Sequence, residues 1–184
     1  MSALINVYDE THANGNLYGF STKAQTFYNG GKSTLTSSAF YIANGNSATG
    51  SVVSCIYSLG GEPNKSGIPS ALLATSDSID ISTISSSLSK VSFTFSGVNQ
   101  IELLANMYYV VSIEPTITSG YLDVQDDEDI QYYLGNMSAK IGGFWVSATP
   151  SGLGTPYPFN MVFWVYGDFP SSPLPHFFNY SALS

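Results

Sequence analysis

The sequence has little charge, and most of the charge that it has is negative. Only 10% of its 184 residues are Asp, Glu, Lys or Arg, against roughly 25% in an average globular domain. Arginine is absent, and five lysines face thirteen acidic residues, which gives a net charge of −8. Nucleic-acid binding and docking on an anionic membrane surface both need clustered cationic side chains. The sequence therefore excludes both kinds of partner.

Cysteine and long apolar runs are scarce as well. Cys55 is the only cysteine, so an intrachain disulfide is excluded, and we expect a small buried residue rather than a reactive thiol. No segment reaches the roughly 18 consecutive apolar residues of a membrane helix. The first residues also lack the basic region and apolar run of a signal peptide. If the protein acts outside a cell, we expect it to get there without a secretion signal of its own.

Catalytic groups are few. The two histidines, His12 and His176, lie in the terminal segments. A catalytic triad needs a nucleophile and a base within hydrogen-bond distance, and no Gly-x-Ser-x-Gly elbow, His-Glu-x-x-His motif or phosphate-binding glycine loop occurs. A carboxylate pair of the kind that hydrolyses glycosides needs no local motif and stays open. We expect a protein that is not an enzyme.

Residues that favour β-structure are abundant. Hydrophobic residues make up 43% of the chain and aromatic residues 14%. The segment "VSFTFSG" is the clearest strand pattern, because Val91, Phe93 and Phe95 alternate with polar residues. Similar runs begin near positions 40, 52, 108, 121, 131, 143 and 160. We expect a turn at 44–46 and a strand end at Pro115. About eight or nine short strands at regular spacing predict an all-β, antiparallel β-sandwich.

The strand patterns define one domain with an extension at each end. We place the sandwich at residues 23–167, an N-terminal arm at 1–22 and a C-terminal tail at 168–184. The tail contains three prolines and the aromatic residues Phe169, Phe177, Phe178 and Tyr180. Aromatic side chains on a solvated tail would promote aggregation. We therefore expect both ends to pack against their own domain, a second copy or another protein.

An ordered series of motifs resembles a known group of domains. The series runs from an Ala-Gln-x-Phe strand to a closing Phe-x-Val-Tyr-Gly strand, and its members are Ala24–Phe27, Gly50–Tyr57, the loop Gly60–Pro69, Val91–Phe95, Tyr108–Ile113 and Phe163–Gly167. It is similar to jelly-roll β-sandwiches that resemble carbohydrate-binding modules and occur in bacteriophage structural proteins and bacterial surface proteins. The resemblance covers roughly residues 23–167. It departs at Trp164, where such domains commonly carry a polar or basic residue.

The resemblance implies a jelly-roll fold and a non-enzymatic role in a bacteriophage virion. It favours a capsid-decorating (cement) or accessory protein, assembled in the host cytoplasm. Such a protein contacts other copies of itself, for which a trimer is favoured, and virion proteins such as the major capsid protein. The alternative is a glycan-binding or adhesion module of a tail, fibre or baseplate that binds host surface polysaccharide. These functions follow from the resemblance, because its motifs specify strands and turns rather than a site.

The closing strand, "FNMVFWVYGDFP", has two apolar faces. Alternation places Phe163 and Val165 on one face, which we assign to the core. The other face carries Val162, Trp164 and Tyr166, and we predict that it is an interface. A second copy or the tail residues Phe177 and Phe178 would cover it. On this interpretation Trp164→Ala weakens assembly and leaves the fold intact.

Acidic residues cluster in "DVQDDEDI". Clustered carboxylates on a loop can supply several of the oxygen ligands that calcium requires, so Asp123, Asp126, Asp127 and Asp129 form a candidate calcium site. The spacing differs from that of an EF-hand. The alternatives are a solvated acidic loop and a loop that faces a basic partner.

Aromatic residues beside predicted loops form a candidate sugar platform. Sugar-binding sites on rigid sandwiches often use aromatic rings for stacking. The candidates are Tyr132, Tyr133, Trp145 and Tyr157. Each of them could instead pack in the core or at an interface.

Overall fold

A computed structural model describes residues 2–8, 15–17, 22–63, 65–127, 135–147 and 160–170, with the backbone alone at 15–17 and 127. Nearly all regular structure in these stretches is antiparallel β-sheet. The predicted all-β antiparallel fold is therefore confirmed. Within the same stretches no helix is long and apolar enough to cross a membrane.

Thirteen strands and two short 3-10 helices occur in this part of the chain. The strands are β1 (Ala3–Tyr8), β2 (Gly15–Leu17), β3 (Lys23–Asn29), β4 (Ser33–Gly60), β5 (Ile68–Thr75), β6 (Ile79–Asp80), β7 (Ser89–Thr94), β8 (Glu102–Leu103), β9 (Met107–Asp127), β10 (Met137–Ile141), β11 (Phe144–Ser147), β12 (Asn160–Met161) and β13 (Phe163–Asp168). The 3-10 helices span Ile81–Thr83 and Gly97–Asn99.

Two strands are far longer than predicted. β4 has 28 residues and β9 has 21, so the expected turn at 44–46 and the expected strand end at Pro115 are wrong. Asn44 and Gly45 stay paired with β9, and the irregularity lies at residues 46–48, where Asn46 and Ser47 have a positive φ and the register with β9 shifts. Pro115 pairs with Val52, two residues beyond the end of the β3 pairing at Ile113. A residue without an N–H fits a strand where one side is no longer paired.

The long β4–β9 ribbon bends and creates two layers. The first half of β4 pairs with β13 on one side and β7 on the other. Its second half pairs with β9 and β5. The two halves face each other, because the Ser38 hydroxyl donates to Ser54 Oγ over 2.7 Å and both residues are fully buried. The arrangement is sandwich-like, with β3, β10 and β11 extending one layer and β1 the other.

Aromatic side chains fill the space between the layers. The Phe27 ring lies 6.3 Å from that of Phe163, and the Phe40 ring lies 5.7 Å from that of Phe93. Phe163 and Val165 are fully buried, as their alternation predicted. Dense packing of this kind contributes most of the favourable free energy of a fold of this size.

The N-terminal apolar run becomes an edge strand of the same sheet. β1 pairs with β13 along Ala3–Tyr8, and the Asn6 side chain donates to the Tyr28 carbonyl over 2.7 Å. Of the alternatives for this end, packing against its own domain therefore holds for residues 3–8. Tail residues 171–184 lie outside the described part of the chain.

Candidate functional site

The predicted interface face is largely covered within a single chain. Trp164 is 7% exposed, its ring packs edge-on against Tyr41 at 5.4 Å, and Lys90 Nζ lies 3.8 Å from the ring centroid. Lys90 also donates to the Tyr166 hydroxyl over 2.9 Å. A cation above an aromatic face contributes about 0.5–1 kcal/mol at an exposed site. Tyr41 and Lys90, on the same sheet, therefore bury part of the surface of Trp164 that we expected a partner to bury.

The other members of that face differ in exposure. Val162 is 1% exposed, whereas Tyr166 is half-buried. Phe177 and Phe178, the proposed covering residues, lie outside the described residues. Tyr166 is thus the member of the face with most surface left for a partner, and the interface itself stays a prediction.

The acidic cluster lies along a strand. Asp123, Asp126 and Asp127 belong to the end of β9, while Asp129 is outside the described residues. Asp126 is 1% exposed. Asp123 is half-buried, because the odd spacing between the two residues places it on the opposite face of the strand. Among the residues that the structure describes, no three His, Cys, Asp or Glu side chains are grouped as metal ligands. The calcium site stays a prediction, which now depends on residues beyond Asp127.

A buried polar cluster lies between the layers at this end of β9. Lys23 and Gln25 project inward from β3 and are fully buried. Gln25 joins the layers, because its Nε2 donates to Asn160 Oδ1 over 3.3 Å and its Oε1 accepts from the Met161 N–H over 3.0 Å. Buried polar groups are tolerated when they are hydrogen-bonded, and such bonds fix which strands meet.

The electrostatics of this cluster centre on Lys23. Burial lowers the pKa of Lys23 to about 8, although the negative charges of Asp126 and Asp123 partly oppose the shift. Burial also raises the pKa of Asp123, against the opposing effect of Lys23. Keeping Lys23 protonated in this interior therefore lowers the stability of the fold.

We predict that removing Lys23 changes how stability depends on pH. The pKa is about 8 in the folded chain and 10.5 as the ordinary value, so between these values the unfolded chain binds more protons. Stability from this group therefore rises with pH across that window. Between pH 7 and pH 10.5 the unfolding free energy of the wild type should rise by about 3 kcal/mol relative to that of Lys23→Met.

Urea unfolding of both proteins across this pH range, in buffer containing a chelator, measures the difference. Other titrating groups, including Cys55 and Tyr57, are common to both proteins, so their contributions cancel. A difference in unfolding free energy that stays constant with pH would show that Lys23 titrates normally in the folded chain.

A second polar group lies on the outer face of the β4–β9 layer. One oxygen of Glu114, Oε1, accepts from the Tyr57 hydroxyl over 2.6 Å and from the Ser112 hydroxyl over 2.8 Å. The Trp145 ring packs against Tyr57, with centroids 6.0 Å apart and ring planes at 72°. Burial and the bond to Glu114 raise the pKa of Tyr57, so the phenol stays protonated and donates to the carboxylate.

The same face holds the cysteine. Cys55 is 4% exposed, and burial raises the pKa of its thiol to about 11. A thiol with a raised pKa is a poor nucleophile. Cys55 therefore packs as a small apolar residue beside Ala24, Tyr57 and Val110, as the sequence predicted.

Of the three residues on this outer face, Tyr57, Glu114 and Trp145, the sequence predicted one. Trp145 was a predicted ligand residue, whereas Tyr132, Tyr133 and Tyr157 lie outside the described residues. Tyr57 and Glu114 were missed. They are 57 positions apart, and only the antiparallel register of β4 on β9 brings them together. The one signal in the sequence is that Tyr57 and Glu114 each lie within a predicted strand, which assigns each side chain to one face of that strand.

Comparisons with known proteins add no relative. No protein-family model matches the chain, and no curated protein is significantly similar to it.

Proposed function

We propose that the chain is a non-enzymatic structural protein of a bacteriophage virion. Within that class it acts as a capsid-decorating (cement) or accessory protein, through contacts with other copies and with the major capsid protein. The supporting observation is the exposed apolar tip of the β10–β11 hairpin. Large apolar side chains that protrude into solvent commonly mark surfaces that bind other proteins.

The hairpin tip is built to present one aromatic ring. Gly142 and Gly143 both have a positive φ and form the turn. Phe144 follows at 77% exposure, and Ile141 precedes the turn at 40%. Burying a Phe side chain on a partner contributes about 1.5–3 kcal/mol. Phe144 is therefore the candidate anchor for docking on a capsid surface.

Binding to particles that lack the protein tests the proposal. Purified wild-type chain should co-sediment with such particles, and Phe144→Ser should weaken binding by about tenfold to a hundredfold. Val98→Ser is the matched control, because Val98 is 93% exposed on the Gly97–Asn99 helix, elsewhere in the fold. No binding by the wild type would reject the proposal. Equal losses in both variants would reject the hairpin as the docking element.

The Trp145 site favours a second candidate function, glycan binding. An aromatic ring and a carboxylate held in place are groups that recognise sugars, the ring by stacking and the carboxylate by accepting from hydroxyls. Because the Trp145 and Tyr57 rings are nearly perpendicular, only one of them can serve as a flat platform. Glu114 retains a second carboxylate oxygen for a ligand, since both described bonds go to Oε1.

A bacterial surface-glycan array tests this candidate. We expect signals that Trp145→Ala and Glu114→Gln both abolish and that Phe144→Ala leaves unchanged, since Phe144 precedes Trp145 on the strand and points to the opposite face. Silence of the wild-type protein across the array would reject glycan binding. It would leave the structural role untouched.

A further inference from the structure

The edge strand β5 is exposed and carries no charge. β5 pairs with β4 along one side, and no other described strand pairs with it. Residues 70–73 are all exposed, with Leu72 at 55% and Leu73 at 38%. The register between β5 and β4 shifts at Leu73, so the two exposed leucines lie together at a β-bulge. Residues 66–76 contain none of the charges that commonly protect an edge strand, although Pro69 and the bulge at Leu73 limit the backbone hydrogen bonds that this edge can make.

We propose that two copies of the chain pair through β5, antiparallel across a twofold axis near Leu72. The sheet of one copy would then continue into the sheet of the other. This inference rests on the proposed function, because it names the surface for the contacts between copies that such a function requires. A pairing of this kind is isologous and closes at two copies.

The register of such a pairing follows from symmetry. A twofold axis perpendicular to the sheet keeps every side chain on its own face, so an axis at Leu72 sets Leu72 opposite its own symmetry mate. The bulged Leu73 lies beside this pair of leucines. Cross-strand apolar pairs contribute about 0.2–1 kcal/mol each.

Charge favours a second copy at this edge and favours the antiparallel direction. A net charge of −8 makes most faces of two copies repel each other, whereas β5 is neutral. Lys65 lies just before β5 and Asp77 just after it, and both are exposed. Antiparallel pairing brings Lys65 of one copy towards Asp77 of the other at both ends. Parallel pairing would set like charges together.

The existing partners of these two residues allow the contact. Lys65 binds Glu62 over 2.8 Å at the surface, and exposed pairs of this kind contribute little. Asp77 Oδ1 accepts from the Ser96 hydroxyl over 2.7 Å, and a carboxylate can accept further hydrogen bonds. The lysine can thus turn towards the second copy at small cost.

Light scattering during size-exclusion chromatography, over a concentration series, tests the inference on the full chain. The wild type should reach twice the chain mass. Leu72→Lys should give a monomer, because it places two lysine side chains side by side on the axis. Leu104→Lys, at a residue 53% exposed outside β5, should leave the dimer intact. Leu72→Lys should keep the fold and melt at a temperature that does not change with concentration, whereas the wild type and Leu104→Lys should melt at higher temperatures as concentration rises, because association stabilises the folded chain.

A charge exchange provides a second test that does not depend on Leu72. Lys65→Glu should weaken the dimer, and Lys65→Glu with Asp77→Lys should restore it. A double variant no better than the single one would overturn the antiparallel arrangement. An oligomer that persists in Leu72→Lys, the favoured trimer included, would overturn β5 as the contact and leave the proposed function standing. A wild-type monomer that still binds particles would do the same.

Discussion

Replacing Gly50 with alanine should cost the protein at least about 4 kcal/mol, a large share of a typical stability of 5–15 kcal/mol. Gly50 lies just after the irregular residues 46–48 of the β4–β9 ribbon, where the register shifts again and its φ is +128°. A Cβ at this position would overlap the backbone carbonyl oxygen of Thr116, on the paired strand. A backbone atom cannot move away as a flexible side chain can, so the ribbon itself would have to open. The two layers meet through this ribbon, and the core between them would suffer.

Gly97→Ala is the matched control for this prediction. Gly97 also has a positive φ, at +55°, but no atom lies within 4 Å of the added Cβ. Its substitution should cost only about 1–2 kcal/mol, for the backbone conformation alone. Urea unfolding of both variants measures the two losses. Equal losses would mean that the ribbon does not depend on close approach at Gly50.

Trp164→Ala should lower the free energy of unfolding by about 3–5 kcal/mol. The ring is 7% exposed and belongs to the main core cluster, in contact with Tyr41 and Lys90. Removing it leaves a cavity against Tyr41 and removes the surface on which Lys90 rests. This differs from the expectation from sequence alone, in which the substitution weakened assembly and left the fold intact.

Chemical denaturation together with a measurement of mass separates the two expectations. Lys90→Met removes the cation and keeps most of the stem, so it should cost only about 0.5–1 kcal/mol. A Trp164→Ala protein of unchanged stability and reduced assembly would place the ring at an interface between copies.

The strand content and the core were accessible from the sequence because alternation is a local signal. Phe93, Phe163 and Val165 are buried as their patterns predicted. Strand length was not accessible. Asn44–Asn46 and Pro115 have the composition of a turn and a strand end, but pairing between β4 and β9 carries both strands through these points. Tertiary pairing overrode the local preference.

The polar sites were mostly beyond reach of the sequence for the same reason. Lys23 stands beside the motif Ala24–Phe27, and no local pattern shows that its side chain enters the interior. Glu114 meets Tyr57 only through strand register. Trp145 could be named because tryptophan beside a predicted turn is rare and conspicuous. Its partners could not.

The proposed role in a bacteriophage virion is tested most directly by mass spectrometry of particles purified from cells that produce the chain. A decorating or accessory structural protein should be present in every preparation, at a constant ratio to the major capsid protein that survives density-gradient purification. A chain that is abundant in the infected-cell lysate and absent from the purified particles would contradict the account.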